Sequence, residues 1–560
     1  MKKLFIYSLF VFLSMSYTLF SFSGNGSGTE ADPYQITTVE QLQEMNDDLY
    51  AHYILMNDID ASETREWNVG DHDGDPNTPD SAMGFEPIGE CFYSTSNDPM
   101  YKGAFTGSFD GRGYKVTYLY IDRPNENCIG LFGCIADGGY VYDASIENAE
   151  VKGAKFVGVF VGRTYADNKN VTIENCNSGG SVSGKMNVGG FIGEFFSNYE
   201  GTLIENCHSN ILINNDGGNV IGGFCGSGQG VNFRSCSSSG SVGNEDIEYF
   251  EETSVGGFCG QLISDNNTNN ISLCQSSCTV YGGSNIGGFC GSLILLNDSD
   301  CSIDLCISKG NVYGDTQSIS YVTPSNVGGF IGSIYSFAES NSFINIKNCY
   351  AEGNSLIRYF CGGFCGRIAN SNSNISIENC YSIGRVYIKS VKRGGFSVID
   401  NIKSEKKKII SCYWDTQTSE IDSSDGGTGK TTSEMMMQST FENWDFDDVW
   451  CIVEGKTYPQ LQYFVDCDTL VSVPNYQEAS TFISVHPNPS DDIITVSTIN
   501  DDFIINQIEI IDVTGSIVFK ESDISQYSIN IPVQDLPIGA YYVRAYINNQ
   551  PNICPFIINR

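Results

Sequence analysis

The chain has 560 residues, with 67 Asp and Glu against 30 Lys and Arg, for a formal net charge of −37. A surface so acidic excludes nucleic acid and pectin-like polyanions as partners, because it repels both. Its 41% share of apolar residues is enough for a large core, and its 21 cysteines raise the question of a disulfide framework.

At the N-terminus, Lys2 and Lys3 precede an apolar stretch from Leu4 to Leu13 that thins towards Phe20, followed by the small, flexible run Ser21 to Gly28. This pattern predicts a signal peptide over 1–23. Ser14, Ser16 and Thr18 dilute its second half, so cleavage rather than anchoring is expected, leaving no transmembrane segment in the mature chain. Residues 24–128 read as an N-terminal cap and first coils. Thr38 and Gln41 predict a capping box on a short helix with Val39, Leu42, Met45 and Leu49 on one side. His52 to Asp60 predicts a strand, and Phe105 to Ile121 alternates around a glycine turn as a strand pair does. A stack of strands needs such a cap, since its end otherwise exposes unpaired edges.

The leader also holds a candidate metal site. Asp71, Asp73, Asp75, Asn77 and Asp80 fall within ten residues almost free of apolar groups. Calcium takes several hard oxygen ligands, and carboxylates at alternate positions of a turning loop can converge on one ion. The glycine at the fourth place and the missing glutamate at the twelfth exclude an EF-hand. The loop looks more like those of thrombospondin-type repeats; the other reading is a solvated acidic loop. Calcium is the only cofactor expected.

From residue 129 to 411 the chain repeats itself. VGGFIG (188–193) returns as IGGFCG (221–226), VGGFCG (255–260), IGGFCG (286–291), VGGFIG (327–332) and CGGFCG (361–366). The phenylalanines at 132, 160, 191, 224, 258, 289, 330, 364 and 396 recur every 33 residues on average over that span. A cysteine follows in each unit, at 176, 207, 236, 274, 306, 349, 380 and 412, four of them preceded by Asn. A period in this range marks stacked repeats. Three short strands with turns fill one unit, so the fold expected is all-β: a parallel β-helix of about nine coils of ~33 residues, with ladders of Phe, Cys and Ile inside. Flanking glycines are expected to leave space for the rings and let corners bend, and Asn before Cys suits a corner with left-handed backbone. These repeats resemble the GLUG motif of large secreted bacterial surface proteins, which implies a β-helical, often adhesin-like protein.

Catalytic groups are sparse. His52, His72, His208 and His486 share no ligand spacing, and His208 beside Cys207 reads as a coil residue. Glu174, Glu205 and Glu378 each precede a coil cysteine by two places. Carboxylate pairs can run glycoside hydrolysis, but recurrence at one ladder position argues for solvent-facing sites. Lys406 to Lys408 reads as a surface turn. A cysteine recurring once per coil is a small apolar filler, and parallel side chains on adjacent coils fit disulfide torsion poorly. Mostly buried thiols are expected, with Cys128–Cys134 or Cys451–Cys467 as the bridges; zinc is not expected.

Residues 412–465 read as the C-terminal cap. GGTGKTT (426–432) lacks the first glycine of a phosphate loop, which Ser424 replaces, so nucleotide binding is excluded. Thr432 or Ser433 is expected to cap a short helix, and Trp444, Phe446, Trp450, Tyr458 and Leu461 to plug the open coil. After a linker over 466–480, residues 481–560 alternate as a small β-sandwich. This tail resembles the C-terminal sorting domain of type IX secretion in Bacteroidota, the resemblance resting on Pro487, Asn488, Pro489, Leu536, Pro537 and Gly539. It ends on Arg560 where the family often ends on lysine. The resemblance implies engagement of the type IX machinery and an extracellular or outer-membrane-surface location.

The function expected is adhesion or binding, to a glycan or to a host or environmental surface, without catalysis. The alternatives are a secreted polysaccharide- or peptide-degrading enzyme on the same scaffold, and a structural surface component.

Overall fold

The computed structural model describes residues 22–70, 81–91, 103–214, 218–244, 253–297, 299–314, 325–337, 342–356, 359–369, 373–386, 392–400, 406–467, 483–486, 492–498, 504–512, 517–537, 539–547 and 550–558. The chain is about 5% helix and divides into two units, Met1–Met435 with Ser439–Trp444, and Met436–Gln438 with Asp445–Arg560.

The first unit is a parallel β-solenoid of about eight turns between residues 108 and 414. One coil runs through four strands, not three: Met186–Gly189, Ile192–Ser197, Leu203–Glu205 and His208–Asn214. The extra strand arises because the Gly-Gly-Phe stretch turns a corner in its own middle. Each strand pairs in parallel with its equivalent one coil away, as Val188 with Ile221, Ile192 with Cys225, Ile204 with Phe233 and Ser209 with Ser238. The result is four sheets, of nine, nine, twelve and sixteen strands.

Ladders of phenylalanine and of cysteine run through the interior. The phenylalanines stack from Phe160 to Phe396 with ring centroids 4.8–4.9 Å apart and planes within 9° of parallel. That is the rung spacing of a β-sheet, and each such buried ring contributes about 1.5–3 kcal/mol. The coil cysteines are buried, each thiol donating to the carbonyl two residues before it, as Cys207 Sγ does to Glu205 at 3.2 Å. Burial pushes the thiols of Cys274, Cys306 and Cys349 well above their ordinary range. The residue before every coil cysteine has left-handed backbone, Leu273 (φ 57°) and Leu305 (φ 55°) as well as Asn175, Asn206, Asn348 and Asn379. Where it is Asn, its amide links rungs, as Asn206 Nδ2 donates to Asn175 Oδ1 at 3.2 Å.

The repeat glycines serve the backbone more than the rings. A Cβ at Gly189, Gly222 or Gly256 would lie 1.9 Å from the carbonyl oxygen three residues ahead. Two sheets therefore meet at this edge backbone to backbone, with no side chain between them.

At the N-terminal end, helix Val39–Gln43 begins at Thr38, whose hydroxyl accepts the Gln41 N–H, and buries Val39 and Leu42. Phe105 to Ile121 is not a strand pair. Ser108–Asp110 joins the twelve-stranded sheet and Lys115–Thr117 the sixteen-stranded one, so the glycine turn is a coil corner. Lys407 and Lys408 open the strand Lys407–Ile410, paired with Ile375 and Ser376, and so belong to a rung instead of a turn. At the other end Trp444 packs on Phe441 (4.7 Å) and Tyr413 (6.1 Å) and covers the last coil. Thr431, one residue earlier than expected, caps helix Thr432–Met435 and exchanges hydrogen bonds with Glu434.

Cys451 pairs with Cys467, as expected, but Cys134 pairs with Cys91 and leaves Cys128 a buried thiol. The reason is the segment before Cys91: Ile88 O accepts the Gly133 N–H at 2.9 Å and its own N–H reaches Leu131 O at 2.8 Å. That pairing lays Cys91 against the Cys134 strand. Every other described free cysteine except Cys554 is buried as well.

In the second unit Trp450 and Leu461 face each other in a two-stranded sheet. The tail forms an antiparallel sheet of Ile483–His486, Ile493–Thr498 and Ser528–Pro532, and another of Ile517–Gln526, Ile505–Asp512, Gly539–Ile547 and Gln550–Ile558. Residues from both, including Ile494, Ile510, Val543 and Phe556, share one core.

Candidate functional site

The coils are not equivalent on their outer faces. In the sixteen-stranded sheet, the strands Ser145–Lys152, Asn177–Ser183, His208–Asn214 and Ser237–Val242 are long and unbroken. In the next coil the same stretch splits into Gln275–Ser276 and Thr279–Gly282. Three of these four strands bend midway, at Asn148 (φ 56°), Gly180 (φ 136°) and Gly240 (φ 107°). A Cβ at Gly180 would sit 2.1 Å from Ala149 O and one at Gly240 2.1 Å from Ile211 O, so only glycine allows the bend at those rungs.

The bend creates a groove of about 380 Å³. Its outward positions form two rows along the stack, Asn177–His208–Ser237 and Gly179–Asn210–Ser239, with Glu147 at one end. Asn177 Nδ2 donates to Ser145 Oγ at 3.0 Å, and Glu147 pairs with Lys115 at 2.8 Å. Amides, hydroxyls, an imidazole and one carboxylate thus face solvent at rung spacing, with no Phe, Tyr or Trp among the lining residues. The volume lies within the 300–1,000 Å³ of small-ligand sites, but the lining is far more polar than is usual there.

His208 Nδ1 lies 2.7 Å from Ser237 Oγ, a distance at which a base could activate a nucleophile. The same contact recurs on a different sheet, where His52 Nδ1 lies 2.7 Å from Ser108 Oγ. In both cases the residues are register partners on adjacent parallel rungs. The pairing is what the ladder imposes on a His–Ser neighbour pair. Among the described residues no carboxylate is bonded to either ring.

The other sequence candidates scatter. Asp71, Asp73, Asp75, Asn77 and Asp80 lie outside the described residues, as do His72, Pro487, Asn488 and Pro489. Glu174 and Glu205 stand two rungs of one row, half-buried; Glu174 accepts the Tyr140 hydroxyl at 3.3 Å and Glu205 pairs with Arg234 at 3.3 Å. Glu378 belongs to the same sheet several rungs on and accepts from Ser376 Oγ. In the tail, Leu536 packs against the core, Pro537 O accepts the Tyr541 hydroxyl at 2.8 Å and Gly539 opens a strand. Sequence reading passed over Asn177, Asn210 and Ser239. Their signal was Gly180 and Gly240 within unusually long, polar runs after the coil cysteine.

Residues 484–559 match the family model described as a secretion system C-terminal sorting domain. This tail, of the type IX system, marks the chain for export to the cell surface or extracellular space. Among the described residues no helix is long and apolar enough to cross a membrane. Halomucin of Haloquadratum walsbyi is 36% identical over 152 residues, which are 26% of this chain and 2% of that protein. A protein of Evansella cellulosilytica described as a Gly-rich membrane protein is 32% identical over 154 residues, 27% of this chain and 15% of its own length. The chain thus spans a small part of the curated relatives it matches. A crystal structure of a Bacteroides ovatus protein described as an immunoglobulin A1 protease aligns over 79% of this chain and 94% of its own, at 17% identity and a TM-score of 0.32. At that score the likeness carries no argument about activity.

Proposed function

We propose that this exported solenoid is a binding protein that holds a neutral, hydroxyl-rich ligand, a glycan chain, in the groove of its long strands. The observation that carries the reading is the double row of Asn177, His208, Ser237, Asn210 and Ser239, which repeats donors and acceptors along the stack axis. Successive sugars of an extended chain present hydroxyls at a comparable repeat, and the net charge of −37 disfavours an acidic polymer in their place. Adhesion at the cell surface is the role such a site serves in a protein carrying an export tail. The likeness of the repeats to GLUG units, an origin in Bacteroidota and a calcium ion held by Asp71, Asp73, Asp75, Asn77 and Asp80 belong to the same proposal.

Calorimetric titration of the full chain with neutral and acidic glycans tests it. Saturable heat with a neutral glycan supports binding. Heat that continues after each injection would mean turnover and replace the reading with the hydrolytic one. Silence with every glycan would sink it.

A further inference from the structure

A disulfide and a buried free thiol lie on neighbouring rows at the N-terminal end of the solenoid. Cys91 and Cys134 form a disulfide with their Cα atoms 5.6 Å apart; Cys134 is buried and Cys91 half-buried. Cys128, a free thiol, is 4% exposed.

Register places Cys128 beside that disulfide. Asn127 and Ile129 pair with Lys155 and Val157, which in turn pair with Met186 and Val188. Cys128, Phe156 and Asn187 therefore occupy one row, and all three have left-handed backbone, with φ of 59°, 58° and 50°. Cys134, Arg163 and Glu194 occupy a second row. On the two later rungs the rows touch. The Arg163 guanidinium lies 5.0 Å over the Phe156 ring, and Asn187 Nδ2 donates to Glu194 at 3.0 Å. The same corner one rung earlier brings Cys128 to Cys134. Independently, a Cβ at Gly133, the residue before Cys134, would lie 2.9 Å from the Cys128 carbonyl oxygen, so the two backbones meet at this corner. A disulfide with a third thiol on its flank has a resident attacking group.

We propose that Cys91, Cys128 and Cys134 form a thiol–disulfide exchange site, in which Cys128 displaces Cys91 from Cys134 and delivers Cys91 as an accessible thiol for an external disulfide. The Cys128 thiolate attacks Cys134 Sγ. The Cys91–Cys134 bond breaks, a Cys128–Cys134 bond forms, and the Cys91 sulfur leaves with the electron pair and takes up the proton Cys128 lost. No net oxidation occurs. The Cys91 thiolate then attacks an external disulfide, becomes joined to one half of it and releases the other half as a thiol. Cys91 is suited to the second step because it is the most exposed of the three. Burial holds the Cys128 thiol at about 12, with Arg163 pulling the other way. Exchange is therefore slow near neutrality and climbs about tenfold per pH unit as thiolate accumulates.

The probe is dithiobis(nitrobenzoate), applied to the full chain carrying Cys554→Ser, because Cys554 is the one free cysteine among the described residues that is not buried. The expected result is release of one equivalent of thionitrobenzoate per chain, about tenfold faster for each added pH unit. Peptide mapping should then find the label on Cys91 and a Cys128–Cys134 bond. Cys128→Ser should cut the rate to background. Equal rates with and without Cys128, or an intact Cys91–Cys134 bond with no label at alkaline pH, would overturn the proposal. A second variant guards against misfolding: Cys91→Ser should close a Cys128–Cys134 bond under mild oxidation, and two persistent thiols there would also overturn it.

Discussion

Gly256 lies directly under the Cys259 carbonyl, so that a Cβ on it would meet that oxygen at 1.9 Å and the Gly291 nitrogen at 2.8 Å. Neither contact is with a flexible side chain that could swing aside. Gly256→Ala should therefore destabilise the solenoid by about 3 kcal/mol, the upper range for overpacking. A chemical-denaturation midpoint equal to that of the unchanged chain would contradict the backbone-to-backbone packing of the two nine-stranded sheets.

Leu305 pays a conformational penalty that its counterparts avoid. It holds φ at 55° where Asn348 and Asn379 stand on the following rungs, and a left-handed L-residue costs about 1–2 kcal/mol that Asn partly escapes. Its side chain is only half-buried, so little packing is lost by replacement. Leu305→Asn should raise the melting temperature, and Leu305→Val should lower it.

Glu509 supplies the pH dependence of the tail. Burial drives its carboxyl up, but Lys520 (2.9 Å) and Arg544 (2.8 Å) outweigh burial and leave it below its ordinary value of 4.5. A lowered folded-state value favours the folded state above about 4.5, and that contribution is lost as pH falls through the folded value. Melting of the tail followed from pH 7 down to about pH 3 should show a decline that Glu509→Gln flattens, with lower stability at neutrality because Arg544 and Lys520 lose their charged partner. An unaltered acid limb in the variant would contradict this assignment.

Calcium binding by Asp71, Asp73, Asp75, Asn77 and Asp80 rests on the pattern of oxygen ligands. Calcium at a hundredfold excess over its dissociation constant should stabilise the folded chain by about 2.7 kcal/mol relative to EDTA. Asp73→Asn with Asp75→Asn should abolish the difference. Identical melts in calcium and EDTA would leave the loop as a solvated acidic surface.

The solenoid was legible because its core is periodic. Phe224, Phe258 and Phe289 recur once per coil, and so do Cys207, Cys236 and Cys274. The left-handed corner was readable from Asn206 and Asn379 but not from Leu273 or Leu305, where the position in the coil overrides residue preference. The fourth strand stayed hidden because a Gly-Gly-Phe corner leaves no polar turn to mark it. The Cys91–Cys134 bond was out of reach for a different reason: the Ile88 pairing that brings Cys91 to its partner is long-range and has no repeat to announce it. Phe105 to Ile121 misled because alternation describes a strand without naming its partner, and a hairpin and a coil corner share the same glycine turn.

The groove was the least legible feature. Asn177, His208 and Ser237 look like ordinary solvent-facing residues one at a time, and they become a site only when parallel register stacks them and Gly180 and Gly240 bend the strands around them.

The most direct measurement is therefore glycan titration of the full chain beside an Asn210→Trp variant. Asn210 is exposed on the groove floor, so the indole fills the groove without touching the core. Saturable heat with a neutral glycan that vanishes in the variant, with the melting temperature unchanged, is the predicted result. Equal heat from both proteins would place the ligand elsewhere and contradict the groove as the binding site.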